Sequence, residues 1–142
     1  MTTMARTGLI VLLTAIAALT QRPPDGKANV LKSRVPAPSA EKYRSVRDAV
    51  DWKNPYFLVL PDAVEVRTSG GGAARQTVDT ADVIGHLAKL PKVSWPYGLV
   101  VAVQENGVRS GKDADSRIKR NRLELLRRLR KAGVKAELWP AA

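Results

Sequence analysis

The chain contains no cysteine. That excludes disulfide staples, thiol catalysis, cysteine zinc sites and a lipid-modified N-terminal cysteine. It has a single histidine, His86, and a lone histidine makes no metal site without partners. Aromatic residues are 5% of the chain, so the core must be built from Val, Leu, Ile and Ala with a few Trp and Tyr anchors. Carboxylates are outnumbered, 13 Asp and Glu against 24 Lys and Arg, which leaves a net charge of +11. Such a balance suggests an anionic partner, although a basic soluble protein with no such partner also fits. At 142 residues the chain suits one domain and is short for two.

What is present begins with an address. Arg6 precedes an uncharged run from Thr7 to Gln21 whose apolar heart is Leu9 to Leu19. A basic residue, a short apolar core and then small residues form the layout of a secretory signal peptide. The run falls short of the roughly 18 to 20 residues that span a bilayer comfortably, which leaves a short uncleaved anchor facing the periplasm as the alternative. Cleavage is expected among Ala15-Ile16-Ala17-Ala18 or just after Thr20. Residues 1–20 are therefore expected to be a signal peptide or anchor. Residues 21–38, with Pro23, Pro24, Pro36 and Pro38 among scattered charges, are expected to be an extended basic tether. Residues 39–142 then make one domain.

The domain is organised around its C-terminal third. Leu99-Val100-Val101-Ala102-Val103 is an apolar, β-branched run, as in a strand covered on both faces. A polar loop follows, then a helical period from Asp113 to Ala132, closed by Gly133, the residue a helix needs just past its end. Val134 to Trp139 alternates like a half-exposed strand, with Val134, Ala136 and Leu138 inward and Trp139 outward. This is a βαβ unit with parallel strands. Upstream, Phe57–Leu60 and Val64–Thr68 flank Pro61-Asp62-Ala63 as a hairpin, and Arg75–Val78 is expected to return as a third strand. Ser39 is expected to cap a helix running to about Trp52, with Tyr43, Val46 and Val50 on one buried stripe. Asp79 or Thr80 caps another, with Val83, Ile84, Leu87 and Leu90 as its apolar face. Trp95-Pro96-Tyr97-Gly98 either closes the core or forms a sugar- or peptide-binding shelf. The expected fold is α/β (α+β): a small mixed sheet with three helices, two of them packed on it.

Two surfaces invite a ligand. Gly107-Val108-Arg109-Ser110-Gly111-Lys112-Asp113 follows a buried strand and opens a helix, where phosphate loops sit. A nucleotide P-loop needs four residues between its glycines and a Ser or Thr after the lysine; here the spacing is three and Asp113 follows Lys112. Nucleotide hydrolysis is set aside, and simple anion binding by Arg109, Ser110, Gly111 and Lys112 stays as a hypothesis. The helix itself places Ile118, Leu125, Leu126, Leu129 and Ala132 on one stripe, with Arg122 close to it. Arg117, Lys119, Arg120, Arg127, Arg128, Arg130 and Lys131 form a basic ridge on the other half. The ridge carries no aromatics, which argues against single-strand stacking, and export argues against a genomic nucleic-acid target. No nucleophile–base–acid set, no metal-spaced cluster and no cofactor motif emerges, so no catalytic residue, metal or cofactor is nominated.

Hairpin, helix, strand, helix and strand behind an apolar N-terminus and a proline-rich tether resembles the ExbD/TolR-type biopolymer-transport proteins. The likeness covers roughly Phe57 to Trp139, and its most suggestive piece is Lys131-Ala132-Gly133-Val134 leading into a strand. Pro96-Tyr97-Gly98 is similar to a tripeptide at the head of that family's second helix, but here it precedes a strand. The family's membrane helix carries a proton-coupling aspartate, and none occurs between Thr7 and Thr20. The resemblance implies a periplasmic interaction domain, able to form a homodimer, without the proton-driven motor role. The leading expectation is thus an exported, non-catalytic interaction module touching an envelope protein or anionic cell-wall polymer through the basic helix. Small-anion binding at residues 107–112 and an unrecognised enzyme are the alternatives.

Overall fold

A computed structural model of the chain describes residues 26–68, 74–107 and 111–141. The N-terminal apolar run and the glycine run at residues 69–73 lie outside them. In chain order the elements are α1 (Gly26–Arg34), α2 (Ala40–Tyr43), β1 (Tyr56–Val59), β2 (Val64–Thr68), β3 (Ala74–Val78), α3 (Val83–Ala88), β4 (Val100–Glu105), α4 (Lys112–Lys131) and β5 (Lys135–Trp139). A single 3-10 turn at Thr80–Asp82 leads into α3, and another at Lys92–Ser94 follows it. Among the described residues no helix is long and apolar enough to cross a membrane.

The strands form one mixed five-stranded sheet in the order β3-β2-β1-β4-β5. β1, β2 and β3 are an antiparallel meander, while β1–β4 and β4–β5 are parallel. The C-terminal βαβ unit is therefore present, with Val101 opposite Ala136 and Val103 opposite Leu138. β4 is apolar on both sides because both are covered. Val101 and Val103 enter the main core with Phe57, Val59, Val64 and Val66, under Leu31 of α1, Val83 and Leu87 of α3, and Ile118, Leu125 and Leu129 of α4. Val100 and Ala102 face the opposite way, into a smaller cluster with Tyr43, Trp52, Tyr56 and Tyr97. Trp95 joins the main core and Tyr97 the smaller one. Both are buried, so the Trp-Pro-Tyr segment serves the two cores and offers no shelf.

The crossing between these layers is stitched by one amide. Asn54 is buried, and its Nδ2 donates to the carbonyls of Gly98 and Val100, both at 2.7 Å. Its Oδ1 accepts from the Tyr97 amide at 2.9 Å. The chain entering β1 is thereby fastened to the chain entering β4. The N-terminal arm joins at the same point, through Leu99 N–H to the Pro36 carbonyl and Ser39 N–H to the Tyr97 carbonyl, each 2.9 Å. Gly98 sits there at φ 83°, where a Cβ would run into the Ala37 carbonyl, so both the backbone angle and the close approach require glycine. At the far end of α4 the expected glycine stop is found. Gly133 has φ 76°, and Val134 N–H reaches the Leu129 carbonyl at 2.9 Å while Gly133 N–H reaches that of Arg130 at 3.0 Å, the Schellman pattern.

Three expectations change. Residues 26–34 are a helix rather than an extended tether. Ala28, Leu31 and Val35 are spaced i, i+3 and i+7 and are all buried in the main core, so the packed body begins well before Ser39. The tether's charges also have structural uses: Arg34 donates to the carbonyls of Ala88 (3.0 Å) and Leu90 (3.4 Å), at the C-terminus of α3. Second, the helix expected from Ser39 to Trp52 ends at Tyr43. Val50 is 91% exposed, so continuing the helix would bury nothing, and Ser45, Asp48 and Asp51 are weak helix formers. A turn capped by a side chain, with Asp51 N–H donating to Asp48 Oδ1 at 2.8 Å, takes over. Among the described residues there are four α-helices where three were expected. Third, Leu138 is 56% exposed on the edge strand, while Trp139 on the other face is half-buried against Trp52 and Tyr56.

The burial of α1 has a direct consequence. Leu31→Ala, at a residue 2% exposed, is expected to cost about 2–5 kcal/mol in urea unfolding. A cost below about 0.5 kcal/mol, the level of a solvated surface change, would return residues 26–34 to the role of a loose tether.

Candidate functional site

The long helix α4 divides cleanly. Ala114, Ile118, Leu125 and Leu129 are buried, with Ala132 just beyond its end. At 3.6 residues per turn, Arg120, Leu123, Arg127, Arg130 and Lys131 fall within about 100° of arc on the side away from that stripe. Leu123 is 62% exposed, an apolar side chain among cations with nothing packed over it. A groove of about 880 Å³ runs beside this face, walled by Arg117, Arg120 and Arg127 of α4 and by Asp62, Asp79 and Thr80 across from it.

The far wall is held against α4 by a side chain that sequence patterning passed over. Asn121 Nδ2 donates to the carbonyls of Leu60 (2.8 Å) and Ala63 (2.9 Å), gripping the β1–β2 turn. Its Oδ1 accepts from the Thr80 hydroxyl, fixing the start of the α3 segment. The signal was available: Asn121 lies three residues after Ile118 and four before Leu125, on the edge of the buried stripe, and an amide in that position needs partners. Asp62, read as a turn residue, pairs with Arg117 across the groove.

The ridge cations differ in their company. Lys119 pairs with Asp115 at 3.4 Å. Arg122, near the stripe as expected, pairs with Glu105 at 3.2 Å. Arg127 and Arg128 share Glu124, each with an N–O distance of 2.7 Å. Hydrogen bonding from Arg127, aided by Arg128, holds the Glu124 carboxyl down at a pKa of about 2. Arg120, Arg130 and Lys131 are exposed and make no ion pair with the described residues. The face therefore presents free cations around Leu123, interrupted by the carboxylates of Glu124, Asp62 and Asp79.

Of the expected anion loop, Arg109 and Ser110 lie outside the described residues. Gly111 takes the N-cap position at φ 94°, and Lys112 is the first helical residue, with both exposed. Asp113 sits inside the first turn together with Asp115. Those carboxylates already complement the positive end of the helix dipole. His86 stands half-buried on α3 beside a cavity lined also by Asp79, Asp82 and Lys89. Desolvation, and then Lys89, lowers its pKa. Among the described residues no three His, Asp or Glu are grouped to hold a metal. Compared with known proteins, the chain matches no family model, no curated protein and no solved structure.

The Glu124 cluster yields a titration with a defined sign. Its folded pKa lies below the ordinary 4.5, so the ion pairs are complete above that value and are lost as the pH falls toward 2, adding positive charge to the face. Carboxyl NMR is expected to place the midpoint near 2 and to return it toward 4.5 in the Arg127→Gln, Arg128→Gln double variant. A wild-type midpoint at 4.5 would show that the arginines do not hold this carboxylate in solution.

Proposed function

We propose that this protein is an exported, non-catalytic interaction module that docks an acidic protein surface of the cell envelope along α4. The observation that carries this reading is the placement of Arg120, Arg130 and Lys131, exposed and unpaired, around the exposed Leu123. Free cations steer and orient an acidic partner, and a solvent-facing leucine supplies the apolar contact that a docked protein desolvates.

A protein suits the face better than a uniform polyanion. Glu124, Asp62 and Asp79 share the groove with Arg117, Arg120 and Arg127. A repeating acidic polymer laid along it would meet those carboxylates, whereas a protein can set a cation or a hydroxyl opposite each. Export rests on the Arg6-led apolar run of residues 7–21. The non-catalytic reading rests on the want of any nucleophile–base pairing in the sequence.

Photo-crosslinking from position 123 in the native host is expected to trap a discrete protein adduct in the envelope fraction. Arg120→Gln, Arg130→Gln and Lys131→Gln together are expected to weaken that interaction about tenfold, from three exposed pairs of about 0.5 kcal/mol each. An adduct yield unchanged by the triple variant sinks the α4 surface. A steep, many-ion salt dependence with no protein adduct would favour a polymer instead.

A further inference from the structure

Among the described residues β5 pairs on one side only, with β4, and so forms an open edge of the sheet. Val100 lies opposite Lys135, and Lys135 N–H donates to the Leu99 carbonyl at 3.1 Å. In a parallel ladder one residue turns both its backbone groups to the neighbouring strand and the next turns both away. Lys135, Glu137 and Trp139 therefore bond to β4, while the N–H and C=O groups of Ala136 and Leu138 face the open edge. Such an edge is a template for another strand. Leu138 adds to it an apolar side chain that is 56% exposed. The charges of Lys135 and Glu137 on the same strand repel a random strand but not a matched one.

Those charges select one partner and one register. Only shifts of two residues keep outward groups facing outward groups. When β5 of a second copy pairs antiparallel with Ala136 opposite Ala136, Lys135 of each copy lies opposite Glu137 of the other. Both pairs fall at non-hydrogen-bonded positions, where the Cα atoms are about 4.5 Å apart and opposite charges are favourable. The same register lets the two Ala136 residues exchange N–H to C=O bonds and gives each Leu138 N–H the Val134 carbonyl of the other copy. Centring on Lys135 would set ammonium against ammonium, and centring on Glu137 would set carboxylate against carboxylate. Centring on Leu138 would put Pro140, which has no N–H, opposite Ala136. Within one copy Lys135 Nζ lies 3.5 Å from Glu137, and the two side chains are 52% and 35% exposed, so both are accessible from the edge.

We propose that β5 is the interface of a homodimer, paired antiparallel with β5 of a second copy about Ala136. Residues opposite one another share a face, so the two-fold axis stands perpendicular to the sheet. The five-stranded sheet continues across it, and each Leu138 gains Val134 of the other copy as its cross-strand neighbour. Both copies keep their helical layer on the same side, with the two α4 faces turned to the same solvent. An unrelated strand could use the backbone edge but would not gain the reciprocal charge match. The interface shares no residue with Arg120, Leu123, Arg130 or Lys131, so loss of the dimer leaves the α4 reading standing.

Sedimentation velocity of the full chain over a wide concentration range tests it. The wild type is expected to pass from monomer to dimer as concentration rises. Ala136→Pro removes the N–H at the centre of the pairing, at an edge position where proline costs β4 no hydrogen bond. It is expected to be a monomer that melts close to the wild type. Glu137→Lys and Lys135→Glu, each alone, set like charges opposite one another and are expected to weaken the dimer at least tenfold. Mixed in equal amounts, the two variants are expected to associate with each other, because every lysine then faces a glutamate. A wild type that stays monomeric at millimolar concentration overturns the proposal. So does a dimer that is indifferent to Ala136→Pro, or a pair of folded charge variants that stay apart on mixing.

Discussion

The structure hangs on the hydrogen bonds of Asn54. A buried side-chain amide is tolerated only when its donors and acceptor are met, and here three backbone groups meet them: the carbonyls of Gly98 and Val100 and the amide of Tyr97. These bonds set where the chain enters β1 relative to where it enters β4, strands that are far apart in sequence and parallel in the sheet. A parallel pair has no hairpin to fix its register, so a local clamp at the strand entrances matters more than it would between β1 and β2. The Pro36–Ser39 arm closes over the same point through Leu99 and Tyr97, which is why Gly98 has no room for a side chain.

From that clamp the two faces of the sheet acquire different characters. One is sealed by α1, α3 and α4 over a Val- and Leu-rich core. The other is only partly covered, by the short segment that holds Tyr43 and Trp52. The character of α4 follows from this asymmetry. α4 must turn its apolar stripe inward, so its arginines and lysines are left in solvent, where paired and unpaired cations alternate. The opposite face is covered by a four-residue helix and its return, which bury Tyr43 and Trp52 against Val100 and Ala102.

Much of the architecture was legible from periodicity. The β-branched run at residues 99–103, the stripe of Ile118, Leu125 and Leu129, and Gly133 beyond it carry strong local preferences that packing reinforced, so the βαβ unit and the mixed sheet were readable. The helix at Gly26–Arg34 was masked by its surroundings. Four prolines near it read as a tether, yet the i, i+3, i+7 spacing of Ala28, Leu31 and Val35 held the opposite message. The overlong helix after Ser39 was the reverse case, a stripe in Tyr43, Val46 and Val50 that found no surface to cover at its far end. Among the candidate residues, the ridge was visible as charge on one half of a helix, but its division into paired and free cations was not. Asp62, Asp115 and Glu124 decide that, and Asp62 comes from elsewhere in the chain.

By itself the sequence determined the elements whose stability is local or periodic: the buried strand, the amphipathic helix, its glycine stop, the hairpin and the excess of positive charge. Only the tertiary structure decided which polar groups found partners. Asn54 and Asn121 found them at residues more than 40 positions away. Hydrophobic burial follows repeating patterns that a short window reveals, whereas satisfying a buried donor depends on the chance approach of distant backbone, which no window contains.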